Sequence, residues 1–325
     1  MSKVILVTGA TGKQGGSVVD ALVSCERKDD FLILAVTRNA DGEAARKLKE
    51  KGRNIRLVAG NLDNMAGLFD EAEKVAGQKV WGVYSVQVSM GNGVTFESEV
   101  KQGKDIVDES VKRGVQHFVY SSVDRGGDEE SWNNPTPIDH FKSKQLIEHH
   151  LRDNAAKMGW TILRPVAFMD NLEPGMPSRV FLTAMRDSLQ GKPQQWIAVS
   201  DIGVFVALAF QQPEKFNHKA LGLAGDELTF DELQAIFQRD SAAPPTPVFW
   251  FMGSFLKYMV TELKRMLDWF GTDGYGADIK SLREMHPGLK DLETWLRKDS
   301  SFPYQSWRCL RLLPCNGLSN DWNEY

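Results

Sequence analysis

The chain has 325 residues, of which 42% are apolar and 25% charged, and its formal net charge is −4. Such a chain is long enough for one large globular domain or for a domain with a smaller companion. The mild acidity excludes general attraction to nucleic acid or to an anionic membrane, so neither is expected as a direct partner.

The first apolar run, "KVILVT" (3–8), reads as a strand, and no signal-peptide pattern precedes it. "GATGKQG" (9–15) follows, a G-x-x-G-x-x-G turn that leads into a helical pattern over 14–25. A glycine turn between a strand and a helix is the setting in which a dinucleotide binds. Gly9 permits the sharp bend, Gly12 lets backbone approach a diphosphate, and Gly15 lets the helix lie close on the strand. The unpaired N–H groups at the helix start then meet the phosphates. Thr11, Lys13 and Gln14 stand inside the turn and join the expected cofactor contacts. A bare strand-to-helix turn without a ligand is the competing reading.

The second strand, "FLILAVT" (31–37), places Thr37 and Arg38 where an acid would accept from the ribose 2′-hydroxyl of NAD. A guanidinium there can pair bidentately with a 2′-phosphate, and Lys13 adds a second positive charge. NADP(H) is therefore expected over NAD(H), although Asp41 stands close by in sequence. A helix over 42–52 and a strand "IRLVAG" (55–60) come next. In "GNLDN" (60–64), Asn61 and Asp63 meet the adenine edge, or Asp63 caps the helix over 64–76. The fourth strand, "VWGVYSV" (80–86), brings backbone at Val86 to the adenosine side. A helix over 96–113, a strand "QHFVYSS" (116–122), a helix over 138–158 and a strand "WTILRP" (160–165) complete the alternation. Strands apolar on both faces, alternating with helices, imply an α/β fold with a doubly wound parallel sheet and right-handed crossovers.

Beyond Pro165 the pattern is irregular. Helices are expected near 178–189 and 229–239, with an aromatic-rich one near 248–270, and "QQWIAVS" (194–200) and "KALGLAG" (219–225) are candidate strands. "DIGVFVALAF" (201–210) reads as a helix capped by Asp201, and "SAAPPTPV" (241–248) as a rigid bend. Phe251, Phe255, Tyr258 and Met259 fall at helical spacing, as ordinary packing or as a pocket wall or partner surface. The expected division is an NAD(P)-binding domain over 1–160 with contributions from about 194–225, a smaller substrate or partner domain over 161–299, and a tail over 300–325. The tail is either disordered or loosely packed. Cys25, Cys309 and Cys315 form neither a metal-ligand spacing nor a disulfide framework, which fits the cytoplasm or nucleus. His149 and His150 lack matched ligands in sequence, so no metal is expected.

"VTGATGKQGGSV", "VTRN", "GNLDN", "HFVYSSVD", "HFKSK", "ILRPVAFMDNL" and "SDIGVFVA" together resemble the NmrA-like group of atypical short-chain dehydrogenases/reductases, over roughly residues 3–298. The resemblance implies a Rossmann domain, an NADP preference and a smaller, mostly helical domain enclosing a cleft. It also implies either a working NAD(P)H-dependent reductase or a co-regulator that senses NADP(H) and acts through a protein partner such as a transcription factor. Members of the wider superfamily use a Ser and a Tyr-x-x-x-Lys, in which Tyr gives a proton and Lys holds the nicotinamide ribose. Here His140 stands in the Tyr position, with Lys144 one helical turn further on the same face. Lys142 is the second candidate if the register differs, and Ser121 and Ser122 end the fifth strand where the family's serine sits. An imidazole, with an unperturbed pKa of about 6.5, can give a proton near neutrality.

The resulting expectation is a catalytic set of His140, Lys144 and Ser121, with Lys144 and Pro165 also touching the cofactor. Phe168, Met169 and Asn171 line a substrate pocket or belong to the core. The expected reaction is hydride transfer from NADPH to a small carbonyl, imine or quinone-like molecule. The alternative is a non-catalytic NADP(H) sensor.

Overall fold

The computed structural model describes residues 2–89, 93–241, 245 and 261–303. The stripe of Phe251, Phe255, Tyr258 and Met259, most of the 241–248 bend and the tail beyond residue 303 lie outside the described residues.

Strands and helices alternate through the first half. They are β1 (Lys3–Val7), α1 (Lys13–Ser24), β2 (Phe31–Thr37), α2 (Glu43–Glu50), β3 (Ile55–Ala59), α3 (Met65–Ala76), β4 (Gly82–Ser85) and α4 (Phe96–Arg113), then β5 (His117–Ser121), α5 (Asp128–Asn133), α6 (Asp139–Asn154) and β6 (Gly159–Pro165). Only α5 lacks a counterpart in the sequence reading, because six residues reading DEESWN carry no amphipathic period. The second half holds β7 (Ala167–Phe168), α7 (Met176–Leu189), β8 (Gln194–Ile197), α8 (Val199–Gln211), α9 (Pro213–Phe216), β9 (Lys219–Leu223), β10 (Asp226–Leu228) and α10 (Phe230–Asp240). Three more described helices follow, Thr261–Thr272, Ile279–Met285 and Leu292–Lys298.

Seven strands form one sheet in the order β3-β2-β1-β4-β5-β6-β9, and every pairing in it is parallel. The strand alternation sorts side chains between two cores. Val4 and Leu6 of β1 enter one, and Ile5 and Val7 enter the other. Both faces are therefore apolar, as a sheet covered by helices on each side requires. The order reverses direction between β1 and β4, and in such folds ligands bind outside the carboxyl ends of the strands at that switch point.

β6 runs unbroken across residues 160 and 161 within this sheet, and the chain later returns to it. β9 is its seventh strand, and α8 packs along α1. β8, in contrast, belongs to a small sheet ordered β10-β8-β7, which packs with α7, α10 and Leu292–Lys298 around a third core. One expected cap is corrected. α8 starts at Val199 with Ala198 as its N-cap, so Asp201 already lies inside the helix. The Val199 N–H is instead satisfied by the Asp170 carboxylate at 2.8 Å, and Asp201 accepts from the Lys290 N–H at 2.9 Å. No helix among the described residues is long and apolar enough to cross a membrane.

Candidate active site

The glycine turn is built for close approach. Gly9 has φ +59°, and a Cβ on it would sit 2.9 Å from Val86 Cγ1. A Cβ on Gly15 would lie 2.2 Å from the Gly9 carbonyl oxygen, so only hydrogen lets α1 begin this near β1. Thr8 stitches the switch point together. Its hydroxyl donates to the Val86 carbonyl at 3.0 Å and accepts from the Val86 N–H at 2.8 Å. The N-cap Gly12 offers no side-chain cap and the first turn of α1 carries no acid, so those N–H groups suit an anion. A diphosphate fits this cradle, with Thr11 and Gly12 exposed beside it.

Inside the turn the side chains divide. Gln14 accepts from the Ser121 hydroxyl at 2.6 Å and from the Tyr84 hydroxyl at 3.3 Å, which ties α1 to β4 and β5. Lys13 reaches across to the second half, donating to the Asp170 carbonyl at 2.6 Å and to Glu173 at 3.2 Å. Its ammonium is therefore engaged there, not beside Arg38. Arg38 is exposed at the end of β2, with no side-chain hydrogen bond or ion pair to another described residue. Thr37 accepts from the Asn39 N–H at 3.2 Å. Asn61 accepts from the Asp63 N–H at 3.2 Å, and Asp63 accepts from Gln102 at 2.7 Å. Gln102, with Asn61, holds the Asp63 carboxyl below its ordinary range. The cap of α3 is Asn64, which accepts from the Gly67 N–H at 3.1 Å, so the capping reading of Asp63 is corrected.

Beyond the turn a cavity of about 650 Å³ opens over the ends of β4, β5 and β6. Its floor holds Gln14, Ser122, His140, Lys144, Pro165 and Val166, and its far wall is aromatic, with Phe168, Phe181, Trp196, Phe270 and Tyr275. Asn171 is also in the wall, whereas Met169 is fully buried in the third core. Of the two serines, Ser122 lines the cavity and Ser121 is directed at Gln14, because neighbouring residues at a strand end point to opposite sides. Lys142 is exposed, whereas Lys144 is buried and lines the cavity. His140 Nδ1 lies 2.6 Å from the Glu262 carboxylate, which also accepts from the His140 backbone N–H at 3.3 Å. Lys144 Nζ lies 3.3 Å from Glu99. Beneath them Glu148 bridges Arg125 at 2.7 Å and Arg164 at 2.8 Å, all three side chains fully buried. His149 faces the Trp132 carbonyl and His150 faces Asp108.

Sequence reasoning missed Glu99, Glu148 and Glu262. For the first two a signal existed: each is a carboxylate at the spacing of an otherwise buried helix face. Glu262 carries none, since its partner lies 122 residues away.

The chain matches the model of the NmrA-like family over residues 1–296. It belongs to that family. An NmrA-like family domain-containing protein of Dictyostelium discoideum is 26% identical over 92% of this chain and 98% of its own length. An NmrA-like family domain-containing oxidoreductase of Aspergillus hancockii is 29% identical over 73% of this chain and 72% of its own. Among solved structures, NmrA, a negative transcriptional regulator, in complex with NADP superposes with a TM-score of 0.65 at 20% identity, over 92% of this chain and 95% of its own. The NmrA-like fold thus places this cavity at the carboxyl edge of its Rossmann-like sheet.

Proposed function

We propose that this NmrA-like protein is an NADPH-dependent oxidoreductase acting on a small carbonyl, imine or quinone-like substrate. The observation that carries the reading is the cavity itself. It brings Gln14 of the glycine turn, His140 and Lys144 on one side to an aromatic wall on the other, the form of a site for a flat organic molecule. The oxidoreductase of Aspergillus hancockii supports the reductase part of this reading, and the NADP complex of the regulator NmrA supports only the nucleotide-binding part.

Bound NADPH supplies the hydride. The Gly9–Gly15 turn and the start of α1 hold the diphosphate, and Arg38 grips the 2′-phosphate, giving NADP(H) preference over NAD(H). Lys144 donates to the hydroxyls of the nicotinamide ribose, and Pro165 packs against the ring. Glu262 accepts from His140 Nδ1, which leaves Nε2 as the atom that holds and delivers a proton to the substrate oxygen or nitrogen. The aromatic wall excludes water and orients the substrate.

The test is a panel of quinones, carbonyls and imines with NADPH, followed by the absorbance of the reduced nicotinamide. His140→Ala is expected to lower kcat by about a hundredfold or more, the contribution of a positioned acid, with NADPH affinity unchanged. Equal turnover in His140→Ala and wild type overturns the role of His140. The second reading is a regulator that binds NADP(H) and signals to a protein partner. It is favoured by a histidine standing where a reductase of the wider superfamily has tyrosine. NADPH binding with no turnover of any panel member would establish it.

A further inference from the structure

Each basic side chain at or beneath the floor of the cavity has its own carboxylate, brought from a different element. His140 has Glu262, the Arg125 and Arg164 pair has Glu148, and Lys144 has Glu99 of α4. Glu148 is one helical turn from Lys144 and would be its natural partner, but both of its oxygens are taken by the buried guanidiniums. Glu99 is 2% exposed. Its Oε2 accepts from the Ser143 hydroxyl at 2.6 Å, and its Oε1 accepts from the Ser89 hydroxyl at 2.7 Å. The same Oε1 lies 3.3 Å from Lys144 Nζ. Lys144 is itself 8% exposed, yet among the described residues its ammonium donates no hydrogen bond. A nearly buried ammonium with a counter-charge but with unused donors is arranged to bind an acceptor from the cavity.

We infer that Glu99 is the positioning residue of Lys144: it neutralises the ammonium from behind and leaves its N–H groups for the ribose hydroxyls of the cofactor. The inference rests on the reading of Lys144 as a cofactor contact. Ser89 takes part because it shares Oε1 and lines the same cavity, so the segment after β4 and the start of α6 meet on one carboxylate. α4 and α6 also pack through Ile106, Val107, Ile147 and Leu151, so the carboxylate is not their sole link. A supporting shell of this kind sets affinity through the group it holds, not through contact of its own.

The test is a double-mutant cycle read by calorimetric titration with NADPH, alongside melting of the free proteins. Lys144→Met and Glu99→Gln are each expected to weaken binding by about tenfold or more, as expected when one partner of a buried, hydrogen-bonded charge pair is removed. In the double variant, Glu99→Gln is expected to add nothing to the loss from Lys144→Met. Full additivity, or a Glu99→Gln variant that binds NADPH like wild type, overturns the inference and leaves the cofactor role of Lys144 standing. A Lys144→Met variant that binds NADPH like wild type overturns that role and the inference with it. Should Glu99→Gln fail to fold, the cycle is run with Glu99→Asp. That variant keeps a charge near Ser143 but withdraws it from Lys144, and the same non-additivity is expected.

Discussion

Two adjacent glycines of α1 should respond to the same substitution with opposite signs. In Gly15→Ala the new methyl would meet the Gly9 carbonyl oxygen at 2.2 Å, the Gly9 carbonyl carbon at 2.4 Å and the Thr8 carbonyl oxygen at 2.7 Å. All three atoms are backbone, held by β1 and the turn, so no side chain can swing aside. In Gly16→Ala the nearest atom is the Ala10 carbonyl oxygen at 3.5 Å, an ordinary contact. Replacing a helical glycine by alanine gains about 0.5–1 kcal/mol of stability where the site is open. Overpacking costs about 1–3 kcal/mol, and rigid backbone neighbours put Gly15 at the upper end. Gly16→Ala is thus expected to be neutral or stabilised, and Gly15→Ala destabilised by about 2 kcal/mol net. Urea unfolding of the free proteins measures this, and NADPH titration should show weaker binding in Gly15→Ala, because α1 must move off the turn. Equal stability of the two variants would refute the claim that α1 is seated against β1 through Gly15.

Other predictions address charge. Arg38→Ala should weaken NADP(H) by about tenfold or more while changing NAD(H) little, since it removes a pairing available only to the 2′-phosphate; equal losses in parallel titrations would overturn the cofactor assignment. Glu148→Ala leaves Arg125 buried without its anion and Arg164 with only Asp128 at 4.0 Å, and should cost about 3–5 kcal/mol, read as a lowered denaturation midpoint; a midpoint near wild type would contradict the buried triad. Burial pushes the His117 imidazole down to about 4, while the unfolded chain takes up that proton at about 6.5. Because the unfolded state holds the extra proton between those values, stability is present above about pH 6.5 and falls by up to about 3 kcal/mol towards pH 4. Unfolding free energies measured across that range should fall less steeply in His117→Gln; identical curves would exclude His117 as the source.

The sequence by itself determined the alternating half of the molecule and the glycine turn. These rest on local rules. Strands apolar on both faces, a 3.6-residue period and a side-chain-free bend each report on neighbours a few residues away. The position of Arg38 at the end of β2 was legible for the same reason. Tertiary structure decided which carboxylate each basic side chain of the cleft meets and which of two adjacent serines lines the cavity. It also decided where Lys13 reaches and which acid satisfies the start of α8. Asp170, not Asp201, reaches Val199, and Lys13 meets Glu173 across a separation of 160 residues. Such pairings arise because the parallel sheet and the second half bring distant segments to one edge; Lys13 and Glu173 meet there in solvent, whereas a nearly buried charge such as Lys144 must find an opposite charge wherever the chain happens to pass.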